Sequence, residues 1–323
     1  MNFRIALLNL IALPGIAMAD ISSLNLPDMG DSAGSVISPE HERRMGIAFL
    51  RQIRRQVPVI FDPEVEDYIN SLGYKLASNS DRTQGFTFFV IDDPLINAFA
   101  GPGGVIGMNS GVILNSRNES ELAAVMAHEI AHVTQRHLAR MFERANQLSL
   151  PVAAAMIGAI ILGTQNSEAG VAALAATAGA NIQNQINITR ANELEADSIG
   201  MQILSRAGFD PRGMPGFFKR LQASSRCYQG NAPEFLRTHP LTSNRIADAL
   251  GRADEYPLMD VRESRPYLLI RAKIRVHSFE NPREAVKYYA SALEAADGDK
   301  DHLRYGYALA LAEDEQYERA RAY

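Results

Sequence analysis

Apolar residues recur at helical spacing over residues 39–55 and again over 63–77, and each stretch opens with a proline, which suits a helix first turn. Two amphipathic helices are predicted there. The pattern then shortens. Phe86 to Ile91, Val105 to Met108 and Val112 to Leu114 are brief β-prone runs separated by Gly, Pro and Asn, which predicts a small sheet. A long helix follows. Asn118 is placed to cap it, Glu121 stands three residues later as in a capping box, and apolar positions recur to Phe142. Residues 148–180 contain a long uncharged stretch and read as an apolar helical hairpin whose halves are each too short to span a bilayer. Burial in the core competes with a role against a membrane or as a cover over a site. Interfacial helices usually carry basic residues, which this stretch lacks.

The end of the chain changes character at residue 263 and becomes helical, rich in Ala, Tyr and Leu. Aligning Ala285 with Ala320 places Tyr307, Ala308, Leu311, Tyr317 and Ala320 at the small and aromatic positions of a tetratricopeptide repeat. Such repeats need stacked neighbours and a cap, and Tyr323 falls within a second helix, so the repeat region is expected to be incomplete here. The predicted fold is α+β: a mainly helical domain with a small sheet over residues 39–262, followed by all-α helices over 263–323.

Composition narrows the function classes. The 323 residues are 46% apolar and 21% charged, ordinary for a globular protein, and the mean hydropathy of -0.13 excludes a polytopic membrane protein. A net charge of -5 gives no global basic field for nucleic acid. Residues 1–19 carry Arg4, an uncharged apolar run and Ala17-Met18-Ala19, the three parts of a cleaved secretory signal peptide, which marks the chain for export. Residues 20–38, rich in Ser, Gly, Pro and Asp, read as a flexible lead-in. Cys227 is the one cysteine, so no intramolecular disulfide can form. The core must hold the fold, and a metal could add to it.

The metal signal is His128-Glu129-Ile130-Ala131-His132. A spacing of four on a helix puts both imidazoles on one face, a turn apart, where one tetrahedral ion can take both. Glu129 then stands beside the ion as general base, accepting a proton from the attacking water and delivering it to the leaving amine. A third ligand is sought in Glu193-Leu194-Glu195-Ala196-Asp197. Glu193 and Asp197 share a helix face, whereas Glu195 is rotated about 200° from Glu193. Glu193 is assigned as ligand, and Asp197 as the acceptor for the other N–H of a ligand imidazole. One Zn2+ per chain suits two imidazoles and a carboxylate, although affinity alone does not exclude copper or nickel.

With these motifs, the chain resembles the HtpX and CaaX prenyl protease peptidase family, and within it the BepA-like periplasmic branch. The resemblance runs from Pro39 to the end and also rests on Asn97-Ala98-Phe99-Ala100 with Pro102-Gly103-Gly104, on Gly208-Phe209-Asp210-Pro211, and on Thr238-His239-Pro240 with Arg245-Ile246. It implies a gluzincin-type zinc metalloendopeptidase with His128, His132 and Glu193 as ligands and Glu129 as base. It further implies a following tetratricopeptide domain and a setting in outer-membrane protein quality control. Misfolded or stalled exported proteins are the substrates this suggests, with assembly machinery as a partner of the repeats. A chaperone or assembly adaptor with a latent or structural zinc site is the competing reading.

The remaining candidates are read physically. Asn97, Ala98, Phe99 and Ala100 lie between two strand signals, where an open sheet edge could accept an extended substrate as an added strand. A Gly/Pro turn packed on the core is the alternative. His239, held by Pro240, is a candidate to donate to the oxyanion, to occupy the open position on zinc, or to serve only structure. Arg245 is a candidate to pair with Glu195 or Asp197 or to polarise a substrate carbonyl, with an ordinary surface ion pair as the alternative. His137, about 140° from the ligand face of a continuous helix, is not expected to be a ligand.

Overall fold

The computed structural model describes residues 38–81, 85–144, 182–227, 233 and 235–323. The expected leader over 1–19, the lead-in apart from Ser38, and the apolar hairpin over 148–180 lie outside these residues. Helix α1 spans Pro39–Gln56 and α2 spans Pro63–Ala77, each with proline in its first turn as predicted. Their caps explain the starts. Ser38 Oγ accepts from the His41 N–H at 3.2 Å, and Asp62 Oδ1 accepts from the N–H groups of Glu64 and Val65 at 3.1 Å.

The sheet consists of β1 (Thr87–Ile91), β2 (Ala98–Gly101) and β3 (Val105–Asn109), in the spatial order β1-β3-β2. β1 runs parallel to β3, with Thr87 opposite Val105, and β2 runs antiparallel to β3, with Ala98 opposite Met108. The β-prone run Val112–Leu114 is not a strand: it lies within α3 (Ser110–Asn115), where Val112, Ile113 and Leu114 are all buried. A short apolar run has no period of its own, and a buried helix turn accommodates it as well as a strand does.

Helix α4 spans Glu119–Thr134, with Asn118 Oδ1 accepting from the Glu121 N–H at 2.9 Å. Glu121 does not close a capping box. Its carboxylate takes the Arg117 N–H at 2.6 Å and pairs with Arg220 at 3.0 Å. All residues from Glu119 to Ala131 are buried, so α4 runs through the core rather than along its surface. Leu122, Met126 and Ile130 are almost wholly buried, each contributing about 1.5–3 kcal/mol by removal from water.

The long helix predicted to reach Phe142 is broken. Gln135 caps α4, Arg136 takes φ 54, and α5 begins anew at His137–Arg144. The sequence Thr134-Gln135-Arg136-His137 holds no glycine or proline, so nothing local announces the break.

Beyond residue 181 come α6 (Ile182–Arg206), α7 (Gly213–Cys227), α8 (Phe235–Thr238) and α9 (Ser243–Asp254). Helix α6 packs closely along α4. At Gly200 an added Cβ would lie 3.0 Å from Met214 Cε and 3.2 Å from the His128 backbone nitrogen, so the side chain's absence is what lets the helices approach. The C-terminal part is helical as expected: α10 (Arg265–His277), α11 (Pro282–Ala295), α12 (Asp301–Glu313) and α13 (Tyr317–Ala320). Ala285, Tyr289, Tyr307, Ala310 and Leu311 form a second core there, with Ala320 packed against it. Helix α10 serves both cores: Tyr267, Ile270 and Ile274 face the first, Ala272 and Val276 the second. No helix among the described residues is long and apolar enough to cross a membrane.

Candidate metal centre

Three helices and one loop converge on a single point. α4 contributes His128 and His132, one turn apart. α6, held close by Gly200, contributes Glu193 and Asp197, also one turn apart. The segment after α8 adds His239, and α9 adds Arg245. His128 Nε2 lies 3.0 Å from His132 Nε2, 3.2 Å from His239 Nδ1 and 3.4 Å from Glu193 Oε2. Glu193 Oε1 lies 3.4 Å from His132 Nε2 and 3.1 Å from His239 Nδ1. A tetrahedral ion bound at zinc–nitrogen and zinc–oxygen distances has ligand atoms about 3.3 Å apart. These donors therefore fit zinc in both type and spacing, and His128, His132, Glu193 and His239 form one four-residue cluster.

The groups around the cluster are paired. His128 Nδ1 lies 3.0 Å from Asp197 Oδ1, the position expected of the residue that orients a ligand imidazole. Burial works against a charged His128, but Asp197 and Glu193 outweigh it and lift its pKa to about 10. Burial alone would raise Glu193 and Asp197. His239 and His132 bring Glu193 well below the usual carboxylate range, and His128 with Arg245 lowers Asp197. Arg245, 2% exposed, grips Asp197 through Nε at 2.7 Å and through its second terminal nitrogen at 2.8 Å. The remaining terminal nitrogen reaches Glu193 at 2.8 Å and donates to the Pro240 carbonyl at 2.9 Å. Of the pairings considered for Arg245, the structure thus holds the one with Asp197, buried rather than on the surface.

Glu129 is wholly buried, and neither carboxylate oxygen has a hydrogen-bond partner. Burial raises its pKa. His239 stands between this carboxylate and Glu193: Nδ1 joins the donor cluster while Nε2 lies 3.4 Å from Glu129 Oε1. The Phe235 ring stacks on His239 at 4.6 Å and holds it there.

Asn97, Ala98, Phe99 and Ala100 belong to β2 and its approach, and the side of β2 away from β3 pairs with no strand among the described residues. Phe99 itself packs into a core with Phe49 and Phe89 at centroid distances of 6.1 and 6.0 Å. His137 is where the sequence misleads. The break at Arg136 turns its ring back against His132, with the two Nδ1 atoms 2.9 Å apart, and His137 Nε2 lies 3.2 Å from Glu195 Oε2. Burial is the main reason its pKa falls to about 4. It lies outside the donor cluster, but the rotation on a continuous helix was not the reason. Glu195, turned away from the cluster as expected, also takes Arg140 at 2.9 Å.

Comparison with known proteins agrees with this geometry. The profile of Peptidase family M48 matches residues 62–253. The chain is 43% identical over 310 residues to the beta-barrel assembly-enhancing protease of Escherichia coli strain K12, covering 94% of this chain and 63% of that protein. It is 38% identical over 298 residues to the protein of the same name from Yersinia pestis, covering 92% and 61%. A 159-residue match to the mitochondrial metalloendopeptidase OMA1 of Schizosaccharomyces pombe is 35% identical and covers 49% and 43%. The chain thus spans less than two thirds of the length of these relatives. With the profile covering more than half of the chain and the His-Glu-x-x-His helix at its centre, the chain belongs to peptidase family M48.

Proposed function

We propose that this chain is a zinc-dependent metalloendopeptidase of the periplasm that degrades misfolded or stalled exported and outer-membrane proteins and assists outer-membrane protein assembly. The observation that carries the reading is the convergence of His128, His132 and Glu193 on one point beside the fully buried Glu129, whose carboxylate oxygens make no hydrogen bond. His128, His132 and Glu193 would hold the ion, with Asp197 orienting His128. Bound there, zinc supplies Lewis acidity to the scissile carbonyl and to the attacking water. Glu129 takes the proton from that water and passes it to the leaving amine. The free side of β2, at Asn97 to Ala100, suits an extended chain added as a strand, a mode that selects unfolded segments. The leader pattern at residues 1–19 supports the periplasm. The relatives' name, beta-barrel assembly-enhancing protease, supports the setting. The helices over 263–323 are the surface for assembly partners, read as the beginning of a tetratricopeptide array.

One observation favours the second reading, an assembly adaptor whose zinc site is latent. His239 completes the donor set and lies against Glu129, the place a water and a substrate carbonyl would need. We read His239 as a plug that must withdraw before cleavage.

The test is zinc content and cleavage of an unfolded protein by the chain from Asp20 onward, run beside Glu129→Gln. Near one zinc in both, with cleavage in the variant at least about a hundredfold slower, is the expected result. One zinc in both and no cleavage in either would favour the adaptor.

A further inference from the structure

We infer that His137 is a positioning residue for the ligand His132, fixing its tautomer through a histidine–histidine–carboxylate chain that ends on Glu195 and Arg140. The inference rests on the metal reading of the cluster. Its structural basis is a set of atoms that no local sequence pattern announces: His132 Nδ1 to His137 Nδ1 at 2.9 Å, His137 Nε2 to Glu195 Oε2 at 3.2 Å, and Arg140 to the same oxygen at 2.9 Å.

The direction of these hydrogen bonds follows from both ends. His132 turns Nε2 into the donor cluster, 3.0 Å from His128 Nε2 and 3.4 Å from Glu193. A metal-binding nitrogen must offer a lone pair, so the ring proton of His132 sits on Nδ1 and is donated to His137. His137 Nδ1 is then the acceptor, and the His137 proton sits on Nε2. At the far end, ionised Glu195 can only accept, which demands the same proton on Nε2. The two ends require one and the same tautomer. The opposite direction would set a His137 lone pair against the carboxylate and put a proton on the nitrogen that faces the ion.

His128 is oriented by direct contact with the Asp197 carboxylate at 3.0 Å. His132 is oriented differently, with an imidazole interposed, so that the negative charge of Glu195 stands one ring farther from the ion. The backbone is built for this. The left-handed residue Arg136 lies between α4 and α5, and the reversal there brings a histidine five positions along the chain back over His132 at a ring-centroid distance of 4.7 Å. His137 is 5% exposed, and both of its nitrogens are engaged.

The test measures zinc affinity of the full chain by competition with a chromophoric chelator, together with the visible spectrum of the cobalt(II)-substituted protein. His137→Phe keeps a ring but removes both polar contacts. His137→Asn keeps an acceptor near the Nδ1 position and a donor beside it. Glu195→Ala cuts the far end at a partly exposed residue, where folding is not at risk. The expected result is zinc affinity about 10–100-fold weaker in His137→Phe with an altered cobalt spectrum, a smaller loss in Glu195→Ala, and recovery toward the parent in His137→Asn. Parent-like affinity and spectrum in His137→Phe and Glu195→Ala would overturn the inference. So would equal losses in His137→Phe and His137→Asn accompanied by equal losses of thermal stability, which would make the residue a packing element. A parent chain that binds no zinc would instead overturn the metal reading itself, and the two failures are thereby distinguished.

Discussion

His239 reports most directly on how the site is held. Its ring is clamped by Phe235 on one face, its Nδ1 joins the donor cluster, and its backbone is tied through Pro240 to Arg245. Removing the whole imidazole should open the fourth position while leaving the other three donors in place. His239→Ala is therefore expected to raise basal cleavage of an unfolded protein severalfold while keeping near one zinc per chain, read by initial rates and metal analysis. Unchanged or lower cleavage with zinc retained would reject the plug and leave a role in the transition state or in structure. Arg245 shows why a buried cation is tolerated here: Asp197 and Glu193 surround it, and breaking such a buried pair typically costs about 3–5 kcal/mol because a carboxylate is left uncompensated. The sequence offered both Glu195 and Asp197 as partners of Arg245 and could not choose between them, since the actual partner lies 48 positions away.

At the scale of elements, the site depends on how closely α6 lies against α4. Gly200 marks the contact, because any side chain there meets the His128 backbone and Met214. Gly200→Val should push α6 outward by a few tenths of an ångström or more and carry Glu193 and Asp197 with it, lowering zinc affinity at least about tenfold while leaving the helical content intact. Chelator competition and far-ultraviolet circular dichroism together would check this. Parent-like affinity would mean that the helices can relax without moving their ligands. Secondary structure was legible from sequence where a local device sets it, as with the proline starts of α1 and α2 and the Asn118 cap of α4. It was not legible where packing decides, as at α3, read as a strand, and at the break after Thr134.

Across the whole molecule, the helix that carries His128 is tied to the C-terminal helices at its far end. Glu119, 6% exposed, accepts from Tyr68 Oη at 3.0 Å, from the Ser264 N–H at 2.9 Å and from Ser264 Oγ at 2.7 Å. Ser264 in turn caps α10, whose Tyr267 hydroxyl donates to the Ser116 carbonyl at 3.4 Å. Glu119→Ala strands the Tyr68 hydroxyl and the Ser264 N–H, and an unsatisfied buried group costs about 1–3 kcal/mol. The expected outcome is a stability loss of about 2–4 kcal/mol in denaturant unfolding with zinc stoichiometry unchanged. A loss under about 0.5 kcal/mol would show that the junction is held by apolar packing alone.

The sequence by itself determined the parts of this protein that repeat with a helix. His128 and His132, and Glu193 and Asp197, are four apart, and a spacing of four puts side chains on one face wherever the helix lies. Those pairs could be read from the sequence alone, as could the turning of Glu195 away from the donors. Only the tertiary structure decided which faces meet. His239 reaches His128 across 111 positions and Glu193 across 46, and His137 reaches His132 only because the chain reverses at Arg136. Such contacts are set by the packing of distant elements, which no local periodicity encodes.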